Sequence, residues 1–493
     1  MTRRDSLRAI TGAAIASNAC SRPARRPNIL YIMTDDHVPA AMSCYGNKIL
    51  HTPNLDRLAN EGVRFNNCFV TNSLCAPGRA TVLTGCYSNI HHIFGNSEGR
   101  DAIEKMTPGI RTYPRLLQQA GYRTAIVGKW HLSDEPTGFD YWCVLPGQGV
   151  YFDPDFIEQG TRKKFPGYAT DVTTDLALNF LKSTGSEKPW CLIYQHKAPH
   201  RPFKPASRHA NMFSDIELPY PETFNDDYAT RRLAKEAEDM RLDLSLADDY
   251  KDLPKGLSAS DRKKWIFQRF VKDYYRATYG VDENLARVLK FLEDTKQADD
   301  TLILYSSDNG FFLGEHGWYD KRFMYEPSLR VPLLARYPRL GVTGRVVDHM
   351  VQNIDFAPTM LDFAGTAIPD TMQGRSLRPF LEGKTPSDWR RSAYYSYYEN
   401  SWTLRGKGKE AMSDPSFQYF TPHRVGPHRG VRTDRYKLIE YYSEGDYWEL
   451  FDLKEDPNEL RNVYGDPGSA QITGELKQEL MRLRKQYRDV LNS

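Results

Sequence analysis

NILYIMTDD, Asn28 to Asp36, decides the fold: it is an apolar run of strand length that stops on two acids. Three further runs share its form, TAIVGKWH (Thr124–His131), WCLIYQHKAPH (Trp190–His200) and TLILYSSDNG (Thr301–Gly310). Between them lies text of helical period: TPNLDRLANEG from Thr52, RLLQQAG, DVTTDLALNFLKS (Asp171–Ser183) and DYYRATYGVDENLARVLKFLED (Asp273–Asp294). Strands alternating with helices predict an α/β fold, with a large mixed, mostly parallel sheet sandwiched by helices. In open sheets of this kind ligands sit beyond the carboxyl ends of the strands. Each run ends in polar groups there: Asp35 and Asp36, Lys129 and His131, His196 and His200, Asp308 and Asn309. One site is predicted where these ends meet.

Adjacent strand residues face opposite ways, so Asp35 and Asp36 can serve one centre only from a turn just past the strand. Three carboxylates and an amide oxygen, with no thiolate pair or clustered imidazoles, describe a hard-cation site, calcium first and magnesium second. A single Asp-Asp or Asp-Asn-Gly reads as a solvated turn. Two of them at matching strand ends read as ligands.

SLCAPGRATVLTG (Ser73–Gly85) begins a helix, with Pro77 in the first turn, where its missing amide hydrogen costs nothing. Cys75 lies at the helix mouth, where free amides and the dipole favour negative charge, and Arg79 follows one turn on. A buried thiol, a thiolate nucleophile and a modified side chain are all compatible with this text. A cysteine nucleophile normally works with a neighbouring base and no metal, and a hard cation prefers oxygen to sulfur. A residue that reaches the cation is therefore expected to carry oxygen.

C-x-P-x-R at Cys75, Pro77 and Arg79, with a Thr-Gly helix end, resembles the maturation signal of the type I sulfatases of the alkaline-phosphatase superfamily. In that family the cysteine is oxidised to formylglycine. TDDH (Thr34–His37), GKWH (Gly128–His131), APH (Ala198–His200), SDNG (Ser307–Gly310) and Lys321 in HGWYDKRFMYE fall in the family order, and the likeness runs from Asn28 to the C-terminus. It implies one Ca2+ per chain, held by Asp35, Asp36, Asp308, Asn309 and the formylglycine made from Cys75. It also implies that the aldehyde hydrate attacks sulfur, with Arg79, Lys129 and Lys321 around the hydrate and the sulfate. His131 would be the base that collapses the sulfated hydrate, and His200 the donor to the leaving alcohol. Gly78 departs from the serine or alanine of many family members.

GFDYWCVLPGQGVYFDPDF, YQHKAPHRPF and WELFDLKEDPNEL resemble the bacterial branch similar to N-acetylglucosamine-6-sulfatase. That branch implies a sulfated carbohydrate, with 6-O-sulfated N-acetylglucosamine of mucin or glycosaminoglycan glycans leading, and a formylglycine-generating enzyme as maturation partner. Candidate sugar contacts are His316, His423, His428 and Arg429. Two other readings remain open: a phosphatase or phosphonate monoester hydrolase of the same superfamily, and a non-catalytic, calcium-stabilised sugar-binding protein.

Near residue 385 the texture changes: AYYSYYEN, GVRTDRYKLIEYY and WELFDL predict a small antiparallel sheet, and a helix follows over 474–491. The expected division is 1–27 as export signal and linker, 28–384 as catalytic domain, and 385–493 as a C-terminal α+β subdomain. Arg3-Arg4 with Ser6-Leu7-Arg8 resembles a twin-arginine signal, and Cys20 after Ala19 resembles a lipoprotein site. Export to the periplasm or beyond is therefore expected, with Cys20 as a candidate lipid anchor. No run of about 18 apolar residues predicts a membrane span. With 66 basic and 63 acidic residues, bulk charge does not mark a nucleic-acid binder. The seven cysteines suit neither a zinc ribbon nor a dense disulfide framework, so at most one or two bridges are expected.

Overall fold

The structure, a computed structural model, describes residues 26–96, 104–185, 187–398, 425–442 and 444–490. NILYIMTD forms β1 (Asn28–Asp35), with every residue buried. Ile29, Tyr31 and Met33 enter one apolar layer and Leu30 and Ile32 the other. Apolar groups on both faces are what a central parallel strand requires.

The main sheet continues with β2 (Val63–Phe69), β3 (Arg123–Lys129), β4 (Tyr141–Leu145), β5 (Asp155–Glu158), β6 (Thr161–Lys164), β7 (Trp190–Pro199) and β8 (Thr301–Ser307). A hairpin of β9 (Phe312–Leu313) and β10 (Tyr319–Asp320) stands apart, and β11 (Arg330–Arg336), β12 (Arg345–Val347) and β13 (Val351–Gln352) complete the sheet. From edge to edge the order is β12–β2–β11–β8–β1–β7–β3–β4–β5–β6, with β13 also on β2. The four chemistry-bearing strands are thus consecutive, β8–β1–β7–β3, and mutually parallel. β11 and β5, each antiparallel to both of its neighbours, make the sheet mixed.

Helices Ala169–Ser183 and Ala259–Asp294 cover one face through Ala177, Phe180, Val281, Leu285 and Val288. On the other face lie Val82 and Leu83 of the helix Cys75–Thr84, Leu117 of Tyr113–Gln119 and Met360 of Phe356–Phe363. The long helix begins at Ala259, well before the expected Asp273, because Ser258 caps it by accepting from Asp261 N (3.1 Å). Its first turns then bury Ile266, Phe267 and Phe270.

The C-terminal part is a four-stranded antiparallel sheet of β14 (Ser392–Tyr397), β15 (His428–Thr433), β16 (Tyr436–Tyr441) and β17 (Tyr447–Asp452). Leu476, Leu480 and Leu483 of a helix at Ala470–Gln486 pack on its Tyr394, Val431, Leu438 and Leu450. That helix starts and stops a few residues earlier than the sequence suggests. Cys44, Cys68, Cys75, Cys86, Cys143 and Cys191 are free thiols, whereas Cys20 and the rest of the expected signal up to residue 25 lie outside the described residues. Among the described residues no helix is long and apolar enough to cross a membrane.

Candidate active site

β1 ends on Asp35, and Asp36 follows with a left-handed backbone, φ +67°. Such a turn costs a residue with a side chain roughly 1–3 kcal/mol. It brings carboxylate oxygens of Asp35, Asp36 and Asp308 within 4.8 Å of one another. Main-chain bonds hold the two strand ends together: Asp308 N donates to Thr34 O (3.1 Å) and Asp36 N to Asp308 Oδ1 (3.2 Å). From the long helix, the Tyr274 hydroxyl donates to Asp36 O (2.5 Å).

Asn309 completes the cluster, its Nδ2 donating to Asp36 Oδ1 (2.6 Å) and Gly310 O (2.8 Å). Asn309 Oδ1 and Asp36 Oδ2 are then buried acceptors with no hydrogen-bond donor. Leaving such an atom unsatisfied costs about 1–3 kcal/mol or more. Two orphaned oxygens beside three crowded carboxylates fit a hard cation, so the donor set passes this chemical test.

Cys75 opens the helix Cys75–Thr84 and is fully buried, with Sγ 3.4 Å from Asp35 Oδ1 and 3.2 Å from Lys321 Nζ. Arg79 forks onto Asp308 Oδ2 from Nε and Nη2 (3.0 and 2.8 Å), while Nη1 donates to Lys129 O (2.6 Å) and Gln195 Oε1 (2.8 Å). Its guanidinium therefore braces the acid cluster. Those two acceptors meet because β3 and β7 approach closely at Gly128, where φ is +101° and a Cβ would fall 1.7 Å from Gln195 O. The Lys129 ammonium pairs with Asp35, and that of Lys321, just after β10, pairs with Asp36.

Burial alone would raise all three acids. Lys129, His200, Arg79 and Lys321 outweigh it at Asp35 and hold that carboxyl well below the usual range. At Asp36 burial prevails over Lys321, with Asp35 and Asp308 adding to it, and lifts the carboxyl to about 7. Burial and then Asp35 raise Asp308. The Cys75 thiol is pushed well up by burial and Asp35, so these surroundings do not favour a thiolate. At Lys321 burial is outweighed, chiefly by Asp36, and the ammonium is held well above its usual range.

His200 turns Nε2 toward Asp36 Oδ2 (3.7 Å) and gives its Nδ1 proton to Arg201 O (2.7 Å). Burial depresses its pKa well below the ordinary value. His131 follows Lys129 and Trp130 with φ +54° and lines, with Ala76, a cavity of about 490 Å3. The structure thus brings Asp35, Asp36, Cys75, Arg79, Lys129, His200, Asp308, Asn309 and Lys321 into one contact network, with His131 at its border.

The proposed sugar contacts are not brought there. His316 is core: its Nδ1 meets Asp226 Oδ2 at 2.6 Å, and its ring packs on Trp318 and Tyr325. His428 is fully buried among Tyr395, Tyr397, Tyr441 and Phe323, because its strand faces the aromatic interior. Arg429 is tied to Glu440 Oε2 (2.6 Å) over the Tyr442 ring. His423 lies outside the described residues. Gln195, Gln148 and Lys197 were not anticipated; the only hint was the place of Gln195 and Lys197 inside WCLIYQHKAPH and of Gln148 inside GFDYWCVLPGQGVYFDPDF, since a single amide or lysine has no periodic signal.

The large mixed sheet, its strand-end acid cluster and the separate small antiparallel sheet are the architecture that the sulfatase resemblance implies. Residues 27–366 match the sulfatase family model, and residues 404–486 match the N-sulphoglucosamine sulphohydrolase C-terminal model. The chain belongs to the sulfatase family, whose members hydrolyse sulfuric esters. It is 42% identical to N-acetylglucosamine-6-O-sulfatase of Bacteroides thetaiotaomicron, over 97% of this chain and 90% of the relative. A protein solved in complex with its substrate D-glucosamine-2-N,6-O-disulfate superposes with TM-score 0.85 at 41% identity, covering 95% of this chain and 99% of that one. The phosphonate monoester hydrolase of Agrobacterium radiobacter, at 24% identity and TM-score 0.74 over 94% and 96% of the two chains, shares the fold.

Proposed function

We propose that the protein removes sulfate from carbohydrates, with the 6-O-sulfate of N-acetylglucosamine in mucin or glycosaminoglycan glycans as the leading substrate, and that it uses formylglycine made from Cys75 and one Ca2+. One observation carries the reading: residue 75 faces Asp35 on one side and the Lys321 ammonium on the other. The sugar rests on the relatives, which are named for this sulfate ester or bound to a 6-O-sulfated glucosamine.

Asp35, Asp36, Asp308, Asn309 and residue 75 would hold the cation, which draws charge from sulfate oxygens when bound, as the aldehyde hydrate supplies an oxygen nucleophile. Lys129 and Lys321 present fixed positive charge where charge develops on those oxygens, and Arg79 keeps Asp308 in register. His200 is neutral at rest, with Nε2 open to a proton. As the donor to the leaving alcohol, His200 has to take up a proton at Nε2 against the burial that lowers its pKa, with Asp35 favouring that uptake and Lys129, Lys197 and Lys321 opposing it. His131 takes the proton that frees the product. The single acid cluster among the described residues favours a sulfate ester over a more highly charged phosphate monoester. Export before action, through the segment 1–27, is part of the same proposal, as is a formylglycine-generating partner.

The test is sulfate release from 6-O-, 3-O- and 2-O-sulfated sugars, run beside the mass of the tryptic peptide that follows Arg64. Conversion of Cys75 lowers that mass by about 18 Da. The 6-O-sulfated N-acetylglucosamine should be turned over fastest and Cys75→Ala should be inactive; full activity in Cys75→Ala refutes the mechanism.

A further inference from the structure

Gln148 lies in the turn between β4 and β5, where Gly147 and Gly149 both take a left-handed backbone (φ +51° and +65°). Glycine adopts that conformation without strain, so the loop bends sharply on both sides of residue 148. The side-chain carbonyl of Gln148 accepts from the Lys129 ammonium, and its main-chain carbonyl accepts from Lys197 Nζ (3.0 Å). Lys197 is 3% exposed, donates also to Arg201 O (3.4 Å) and lies 5.1 Å from the centre of the Tyr151 ring. Tyr151, on the same loop, gives its hydroxyl proton to His200 O (2.6 Å). One loop therefore touches Lys129, Lys197 and His200. On its other flank, Leu145, Pro146 and Gly147 line the cavity of about 490 Å3 that reaches Ala76 and His131.

Asp35 pulls the Lys129 ammonium toward the acid cluster. A second acceptor fixes the direction of that ammonium, and an amide does so without cancelling its charge. A carboxylate in the same position would aim the lysine equally well and weaken its pull on an anion.

We propose that Gln148 is a positioning residue: it aims Lys129 at the reacting group without adding a second negative charge to that of Asp35, and Lys197 holds Gln148 in that pose. The proposal rests on the role given above to Lys129 in the sulfate pocket.

The experiment compares Gln148→Leu, Gln148→Glu, Lys197→Met and the Gln148→Leu/Lys197→Met double variant in the full chain. Steady-state kinetics on 4-nitrophenyl sulfate and on 6-O-sulfated N-acetylglucosamine are read beside the mass of the residue-75 peptide and the thermal midpoint. Gln148→Leu should lower kcat about tenfold or more with KM within about threefold, and Gln148→Glu should instead raise KM. Lys197→Met should resemble Gln148→Leu, and the double variant should be no worse than the poorer single. A Gln148→Leu enzyme, folded and matured, with kcat within about twofold of the parent overturns the proposal, as do losses that multiply in the double variant. If Gln148→Leu fails to fold, an unchanged KM in the isosteric Gln148→Glu overturns it. Turnover of the aryl sulfate without turnover of the sugar refutes the sugar assignment and leaves the Gln148 comparison intact.

Discussion

The carbonyl oxygen of Asp308 occupies the space in which a side chain on residue 78 would begin: a Cβ built on Gly78 falls 2.3 Å from it. The helix that starts at Cys75 and the turn that carries Asp308 and Asn309 are thus in backbone contact at a glycine. A serine or alanine at 78 requires that turn to stand further off.

Gly78→Ala should therefore displace Asp308. Relief of such overpacking typically costs about 1–3 kcal/mol, so the thermal midpoint and sulfatase activity should fall together, with Cys75 conversion still seen by mass. An unchanged midpoint would show that the turn yields freely.

Arg79→Lys should cost at least a hundredfold in kcat, since it keeps the charge and loses the fork. Gln195 Oε1 and Lys129 O would each lose a buried donor, about 1–3 kcal/mol apiece. Chemical denaturation reports the stability loss, and the residue-75 mass separates it from failed maturation.

Removal of the cation should expose the repulsion among Asp35, Asp36 and Asp308. Treatment with a chelator should lower the thermal midpoint and stop turnover, and calcium should restore both more fully than magnesium. At a free cation concentration a thousandfold above Kd, binding stabilises the fold by about 4 kcal/mol. A midpoint indifferent to chelator and calcium would exclude the predicted ligand set.

Lys437 is fully buried between Glu459 Oε1 (2.6 Å) and Glu326 Oε1 (2.9 Å), joining β16 to the segment that follows Lys321. Burial, with Glu326 adding, raises Glu459 from 4.5 to about 7 against the pull of Lys437. A carboxyl with a raised folded pKa binds its proton more tightly in the native state, so its contribution to stability falls as pH rises from about 4.5 to about 7. Glu326, lowered to about 2, acts below that window and with the opposite sign. Glu459→Gln should gain in thermal midpoint over the parent as pH rises from 5 to 8; parallel profiles would refute the assignment.

β1, β3, β7 and β8 are readable in the sequence because each is an apolar run with an abrupt polar tail, and their parallel class follows from burial of both faces. Their adjacency is not readable, since spatial order depends on crossovers. β2 escapes notice because Arg64, Asn66 and Asn67 interrupt its apolar text, and the half-buried positions they hold are created by β11, β12 and β13 alongside. In the site, the acids and Cys75 stand out because their chemistry needs rare groupings. Arg79 is legible as a residue, yet its partner is not: nothing local says that its fork closes on Asp308. His428 misled because a histidine in polar text reads as exposed, and the aromatic ring that encloses it is drawn from distant segments.

Residue 75 has no accessible surface in the folded chain, and Lys321, whose ammonium lies 3.2 Å from its Sγ, is synthesised more than two hundred residues later. During translation there is thus an interval in which the thiol has emerged and its enclosure has not. Any catalyst that alters this side chain must act within that interval or on a chain kept open afterwards, which makes the pace of folding a determinant of how many finished molecules carry the altered group.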